Sequence, residues 1–184
     1  MTLRCILLSL IMLGARLGIA SETTDWKTQE IRFVSRGTTL AGTLYLPNGP
    51  GPFPLMVGVH GSGRIDRSDL YQGEAVKYFA PRGIAFFIYD KRGVGQSGGT
   101  YPGSYSSSMV IYAVDALAAV DRLAQLEKID AGKIGLWGVS QAGWIIPIAA
   151  AMAQDRIAFT IIVSGPTVSI CLLYTSPSPR DSCA

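Results

Sequence analysis

Ser140 stands in the run Gly138-Val139-Ser140-Gln141-Ala142-Gly143, between the apolar stretch 133–139 and a segment with helical periodicity. A serine on a sharp strand-to-helix turn presents its hydroxyl as a nucleophile for acyl transfer. The residues two positions to either side must then be small, because strand and helix approach closely. Gly138 and Ala142 are small, although alanine replaces the last glycine of G-x-S-x-G. The position also suits an ordinary helix N-cap serine, so both interpretations stay open on this motif alone.

A second motif, His60-Gly61-Ser62-Gly63, ends the apolar run 55–60. Acyl transfer needs two backbone N–H groups aimed at the oxygen that becomes negatively charged in the transition state. One comes from the residue after the nucleophile, here Gln141, and the other from a loop after an earlier strand. The two glycines let this loop bend inward. The sequence therefore predicts Ser62 N–H as the second donor, with Gly63 N–H as the alternative.

Residues 93–98 satisfy a third pattern, the G-x-G-x-x-G of dinucleotide-binding turns. That fingerprint also requires a helix to begin inside it, because the helix N-terminus faces the pyrophosphate. Here the loop-like run Gly-Thr-Tyr-Pro-Gly-Ser follows instead. Nucleotide binding is therefore an unfavoured alternative, and no other cofactor motif or metal-ligand cluster appears in the sequence.

The elements that must position these motifs alternate between strand and helix. A hairpin is predicted over residues 30–47, turning at Arg36-Gly37. Continuous apolar runs then alternate with segments of helical spacing, a pattern typical of a mostly parallel sheet covered by helices on both faces. The predicted strands are 55–60, 84–90, 133–139 and 157–165, and the predicted helices are 69–83, 108–128 and 141–154.

In this order and spacing, strand-HGSG, strand-DKRGVGQSGG and strand-GVSQAGW resemble an α/β-hydrolase. The similarity is greatest to exported bacterial members of the dienelactone hydrolase and serine aminopeptidase-like groups. It covers about residues 29–170, the first six strands of that fold, and implies a domain truncated after about the sixth strand. In this family the DKRGVGQS segment is a structural loop, which implies a scaffold ion pair between Asp90 and Arg92.

The chain contains one histidine, His60, which lies upstream of Ser140. The family's catalytic triad runs Ser, Asp or Glu, His along the chain, so His60 is expected to be structural. Asp115, Asp121 and Asp130 are interpreted as ordinary helix-face or helix-end charges. The missing acid and base are therefore expected to be encoded beyond residue 170.

The resulting prediction is an exported serine hydrolase of ester, thioester or amide bonds, incomplete in this chain and inactive as it stands. Its substrate would be a small-molecule or peptide acyl compound. A non-catalytic binding protein of the same fold is the alternative. The cap, the substrate and the oligomeric state are left open by the sequence.

Both ends of the chain are set apart from the domain, which is predicted to span residues 21–170. Residues 1–20 combine Arg4, an apolar run and a small pair, Gly18 and Ala20, as in a signal peptide; an uncleaved membrane anchor is the alternative. Residues 171–181 can be back-translated into the transposase adapter of short-read sequencing libraries, so 171–184 is predicted to be non-native; a natural Ser/Pro-rich tail is the alternative. The predicted location is secreted or periplasmic, without stable membrane insertion after cleavage.

Composition limits the partners. The chain has 16 Lys and Arg and 13 Asp and Glu, and the two terminal segments hold three of the basic residues and one of the acidic ones. The remaining part carries a net charge of only +1, too little to indicate nucleic-acid binding. All three cysteines also lie in the terminal segments. The domain is therefore expected to be stabilised by its core and not by disulfides.

Overall fold

The computed structural model describes residues 26–169, which form one six-stranded sheet with helices on both faces. The predicted signal peptide and the predicted non-native tail lie outside the described residues. In chain order the elements are β1 (Trp26–Ser35), β2 (Thr38–Pro47), β3 (Phe53–Val59), α1 (Leu70–Phe79), β4 (Ala85–Tyr89), α2 (Ser106–Leu123), β5 (Ile129–Val139), α3 (Ala142–Met152) and β6 (Phe159–Val163).

Strands β1 and β2 form the predicted hairpin. They pair antiparallel from Trp26 opposite Pro47 to Ser35 opposite Thr38. The two turn residues both have positive φ, 49° at Arg36 and 72° at Gly37, which matches the right-handed twist of the flanking strands. The hairpin prediction is confirmed.

The strand order is β1-β2-β4-β3-β5-β6, with β4, β3, β5 and β6 mutually parallel. Helices α2 and α3 bury their apolar residues on one face of the sheet, and α1 packs on the other against Met56, Phe86 and Trp137. Both faces of the central parallel strands, β3 and β4, are therefore largely buried, which explains their continuous apolar sequences, whereas β6 at the edge is half exposed. The α/β-hydrolase fold class predicted from the sequence is confirmed.

Two helices end earlier than predicted, one for a local reason and one because of strand pairing. Helix α1 ends at Phe79, and a 3₁₀ turn, Ala80–Arg82, follows it and stops at Gly83 with φ 80°. Helix α2 ends at Leu123 instead of residue 128, because β5 begins early, at Ile129. The Phe53 N–H donates to the Lys128 carbonyl at 2.8 Å, which draws this segment into the sheet.

The predicted ion pair between Asp90 and Arg92 is wrong. Asp90 accepts two hydrogen bonds from the Arg67 guanidinium, at 3.0 and 2.9 Å, while Arg92 pairs with Asp115. Asp90 and Arg92 both follow β4 and are two positions apart, so their side chains would lie on the same side of a continued strand. The chain turns sharply after Asp90, and the two side chains therefore reach different partners. Burial pushes the pKa of Asp90 upward, yet hydrogen bonds from Arg67 and from the Gln96 N–H outweigh it and hold this pKa below its ordinary value.

Asp115 is not the ordinary helix-face charge that the sequence suggested. Its side chain is 1% exposed, and it accepts hydrogen bonds from the Ser35 hydroxyl at 2.5 Å and from Arg92 Nε at 3.0 Å. Helix α2 crosses the sheet beside the end of β1, so the face that carries Asp115 is covered. The carboxylate therefore ties together three segments that are distant in sequence.

Candidate active site

Ser140 occupies the turn between β5 and α3 in a strained backbone conformation. Its φ is 57°, which is uncommon for a residue other than glycine and clusters at functional sites. The Ser140 N–H donates to the Val163 carbonyl at 3.0 Å, and its own carbonyl accepts from the Gly143 N–H at 2.8 Å. These bonds hold the turn in place, and the Ser140 side chain is exposed.

The helix-cap interpretation of this serine is not supported. The N-cap of α3 is Gln141, and no side chain caps the helix. An N-cap residue also normally has β-region backbone angles, which the positive φ of Ser140 excludes. The strained turn is the geometry that the nucleophile interpretation requires.

Close packing explains the small residues around Ser140. A Cβ atom on Gly138 would lie 2.4 Å from Ala142 Cβ and 2.7 Å from the Val59 carbonyl oxygen. A Cβ atom on Gly143 would lie 2.7 Å from Gly165 Cα, in the loop after β6. Ala142 is thus accommodated because Gly138 has no side chain. Gly143 allows the loop after β6 to approach the start of α3 closely.

The loop formed by residues 60–64 follows β3 next to this turn, and it is called the oxyanion loop after the role that the sequence predicts for it. Ser62 and Ser140 line the same cavity, of about 270 Å³. Apolar walls are provided by Val59, Ile65, Trp137 and Val139, and the start of α1 supplies Asp69, Tyr71 and Gln72. The fold therefore brings together two segments that are almost 80 positions apart in the sequence.

The backbone amides predicted to hold the oxyanion are Ser62 N–H and Gln141 N–H. Within residues 26–169 neither donates to an acceptor. The Gln141 side chain is buried, 2% exposed, and its Oε1 accepts from Lys91. Two free amides on the two segments that flank the cavity fit a group that binds a developing negative charge.

His60 is buried behind the oxyanion loop and is bonded to the backbone. It is 1% exposed, its Nε2 lies 2.5 Å from the Tyr89 carbonyl oxygen, and its ring packs edge-on against the Tyr89 ring. Burial, and secondly the Lys91 charge, lower the pKa of His60 to about 3. A ring held in this way is a structural part of the β3–β4 region and cannot take a proton from Ser140.

Lys91 is the site residue that sequence reasoning missed. It follows β4, is 1% exposed, and donates to the oxyanion loop and to Gln141. A charged triplet, Asp90-Lys91-Arg92, directly after an apolar strand was the available signal, because the carboxyl ends of parallel strands meet at one edge.

The glycine-rich segment 93–98 is a packed turn. Its Gly93 N–H donates to the Gly98 carbonyl at 2.9 Å, and a Cβ on Gly95 would lie 2.6 Å from Asp90 Cγ. The next helix begins only at Ser106. No helix therefore begins inside this segment, as the dinucleotide fingerprint requires, and close contacts explain its glycines.

Residues 26–169 contain neither a membrane-spanning helix nor a cluster of metal-binding side chains. No helix in this part of the chain is both long and apolar enough to cross a membrane. No group of three or more His, Cys, Asp or Glu side chains is arranged there to hold a metal ion.

Comparison with known proteins identifies the family. The family model described as serine aminopeptidase, S33, matches residues 52–180. The chain belongs to this family of α/β-hydrolases. The match includes all three motifs, from the oxyanion loop to the Ser140 turn.

Among its relatives, the chain is 31% identical to a polyketide transferase of Penicillium crustosum, with 72% of this chain and 42% of that protein covered. It is 33% identical to a thiohydrolase of Aspergillus aculeatus, with 73% and 40% covered. It is 37% identical to an esterase of an Enterobacter species, with 42% and 19% covered. The chain thus spans less than half the length of these relatives.

Solved structures show the same architecture. A hypothetical protein of Pseudomonas aeruginosa superposes with a TM-score of 0.67 at 26% identity, covering 78% of this chain and 44% of that one. An α/β-hydrolase of a Penicillium species gives 0.65 at 25% identity, covering 76% and 46%. Both likenesses support the fold described above.

Proposed function

We propose that the complete protein is a serine hydrolase that cleaves carboxylic ester, thioester or amide bonds through an acyl-enzyme on Ser140. The observation that carries the proposal is the strained Ser140 turn, with φ 57°, facing a cavity that Ser62 also lines. In this mechanism the Ser140 oxygen attacks the substrate carbonyl and gives its proton to a base, and the bond from the carbonyl carbon to the leaving group breaks as the alcohol, thiol or amine departs with that proton. Water then attacks the acyl-enzyme, which releases the carboxylic acid and restores the Ser140 hydroxyl.

The negative oxygen formed in the attack would be held by the Ser62 and Gln141 N–H groups, with Gly63 N–H as the alternative to Ser62. Donors fixed before the reaction stabilise this charge without reorganisation, which typically contributes about 10²–10³-fold to turnover per donor. Their placement on rigid strand ends, β3 and β5, supports this role.

A proton acceptor for Ser140 must come from another part of the protein. His60 is the chain's one histidine, and it is buried and bonded to Tyr89. We propose that the acid and the histidine of the triad follow residue 170 in the complete protein. The 184-residue chain alone should then lack triad-level turnover, because its serine stays a protonated alcohol.

The names of the relatives favour hydrolysis of bonds that join an acyl group to oxygen or sulfur. One relative is named an esterase and another a thiohydrolase, which supports esters and thioesters as substrates. The family description, aminopeptidase, supports amides. We rank short acyl esters and thioesters first, because one relative is named an esterase and another a thiohydrolase.

The test is Ser140→Ala in the complete protein. Hydrolysis of p-nitrophenyl acetate should fall by about 10³-fold or more, since a triad member contributes several orders of magnitude to turnover. Labelling by a fluorophosphonate probe should disappear as well. Ser107→Ala is the matched control, because Ser107 is exposed at the start of α2.

A Ser140→Ala protein that keeps most of its esterase activity would remove the nucleophile. A wild-type complete protein without hydrolysis or labelling would favour the alternative, a non-catalytic binding protein of the same fold.

We further propose that the protein is exported, with cleavage after Ala20, because Gly18 and Ala20 follow the apolar run 6–13. N-terminal sequencing of protein from the periplasm or medium of a bacterial host should begin at Ser21. A retained Met1 in the membrane fraction would indicate the anchor instead.

A further inference from the structure

Lys91 is a buried cation with one partner for each of its three protons. Its Nζ donates to the Gly61 carbonyl at 2.7 Å, to the Gly63 carbonyl at 3.0 Å and to Gln141 Oε1 at 3.3 Å. The Tyr112 ring covers another side, with its centroid 4.6 Å from Nζ. An ammonium group has three donors and no acceptor, so this environment satisfies it completely.

The first of these bonds orients the proposed oxyanion donor. The Gly61 carbonyl and the Ser62 N–H belong to the same peptide unit, which is trans. In a planar trans peptide the C=O and N–H point in opposite directions. A carbonyl held by Lys91 therefore directs the Ser62 N–H away from Lys91, and the charge also polarises the peptide and makes its N–H a stronger donor.

The third bond reaches the other donor segment. Gln141 follows Ser140 directly, and its backbone N–H is the second proposed donor. Its buried side chain has one hydrogen-bond partner among the described residues, Lys91, because its Nε2 has none there. One ammonium group thus contacts both segments whose amides must converge on a single oxygen.

We propose that Lys91 is the positioning residue of the oxyanion hole, holding the Gly61–Ser62 peptide and the Gln141 segment in the relative orientation that the reaction needs. The proposal rests on the proposed function, since it assigns Lys91 a part in the same acyl transfer. Lys91 acts through these two segments and does not itself contact the substrate.

The residue type fits the role better than its alternatives. Methionine would fill the space but leave two carbonyls without donors. Arginine distributes its donors over a planar fork, which cannot direct three of them from one point. Burial also lowers the pKa of Lys91 to about 8, because the charged form loses contact with water. The protein thus keeps a charged side chain at a place where burial disfavours the charge.

The experiment compares Lys91→Met with Lys128→Met in the complete protein. Lys128 also donates to a backbone carbonyl, that of Pro50, but it is exposed and precedes β5 at the opposite end of the sheet from Ser140. Hydrolysis of p-nitrophenyl acetate and the rate of fluorophosphonate labelling are measured for folded protein, counted by active-site titration. We expect Lys91→Met to lower kcat by about 10- to 100-fold with KM changed less than about threefold, because the lost interaction strengthens only in the transition state. Lys128→Met should leave both constants unchanged.

A second variant, Gln141→Met, removes only the third acceptor. It should lower kcat by about two- to fivefold. The double variant with Lys91→Met should have the same kcat as Lys91→Met alone, because Lys91→Met already removes the hydrogen bond to Gln141. If Lys91→Met does not fold, Gln141→Met decides: unchanged kcat in this variant overturns the proposal.

Ser140→Ala is measured in parallel to separate the two proposals. If it is inactive while Lys91→Met keeps the wild-type kcat, or changes only the melting temperature, the positioning role is wrong and the serine hydrolase stands. If Ser140→Ala stays active, the proposed function fails, and the positioning role fails with it.

Discussion

Strand β1, at one edge of the sheet, turns Lys27, Gln29 and Arg32 to solvent, whereas β6, at the other edge, reads Phe-Thr-Ile-Ile-Val without a charged residue. Ile162 and Val163 of β6 are each 41% exposed. Among residues 26–169, β6 pairs only with β5. Charged residues and cover are the means by which proteins protect sheet edges from pairing with other chains, and only the β1 edge has them here.

The two regions also differ in how their polar groups are matched. Close to β1, Arg92 and Asp115 pair in the interior and the Arg92 guanidinium also donates to the Ser35 carbonyl at 3.0 Å. Strand β6 is held by backbone pairing with β5, and its Val163 carbonyl accepts from the Ser140 N–H at 3.0 Å. The β1 side is therefore secured by a buried ion pair, whereas β6 presents an uncharged and partly exposed edge.

The largest expected effect concerns residues 21–170 produced alone. We expect this segment to be aggregated or molten, because uncovered apolar area forfeits about 25 cal/mol per Å² against a domain stability of about 5–15 kcal/mol. Size-exclusion chromatography and near-UV circular dichroism measure both properties. Ile162→Lys should reduce association by placing a charge on the β6 edge.

Thr28→Lys is the matched control, since it adds the same charge to the exposed face of β1 and should change association little. A monodisperse monomer with a cooperative thermal transition would contradict this prediction, because it would show that the β6 edge needs no further protection.

The second prediction tests the buried Arg92–Asp115 ion pair near β1. In the complete protein Asp115→Asn should lower the free energy of unfolding by about 3–5 kcal/mol, because it leaves the Arg92 charge buried without compensation. Urea denaturation measures the change. Asp121→Asn is the control on the same helix, since Asp121 pairs with Arg156 on the surface and should cost at most about 1 kcal/mol. Equal costs for both variants would mean that the buried pair does not secure the β1 side.

The smallest effect concerns the response of stability to acid. Neither edge dominates it: β6 contains no titratable side chain, and the group that responds is His60, which follows the central strand β3 and bonds to Tyr89 of β4. The pKa of His60 is 6.5 when unfolded and about 3 when folded, so in this window the unfolded chain binds a proton that the native chain does not. Stability should therefore decrease as pH falls from 6.5 towards 3, by about 2 kcal/mol at pH 5.

Urea midpoints measured between pH 7 and pH 4 give this slope. His60→Gln should flatten it, because glutamine can still donate to the Tyr89 carbonyl but cannot take up the proton. An unchanged slope in this variant would assign the acid sensitivity to other groups.

The hairpin, the alternation of strands and helices and the Ser140 turn could be predicted because each depends on local patterns. Arg36-Gly37 suits a two-residue turn, and a small-x-Ser-x-small run after an apolar strand suits a tight elbow. The position of α1's end depended on Pro81 and Gly83, which are also local. Helix α2 was predicted too long, because the start of β5 is set by pairing with Phe53, a residue far away in the sequence.

The partners of the charged residues could not be predicted in this way. The sequence by itself determined that Asp90, Lys91 and Arg92 follow a buried strand, at the edge of the sheet where Ser140 also lies. Only the tertiary structure decided that Asp90 turns to Arg67, Lys91 to the oxyanion loop and Arg92 to Asp115. The physical reason is that a buried charge is stable only beside a matching group, and that group is set by which distant segments the fold brings within hydrogen-bond distance.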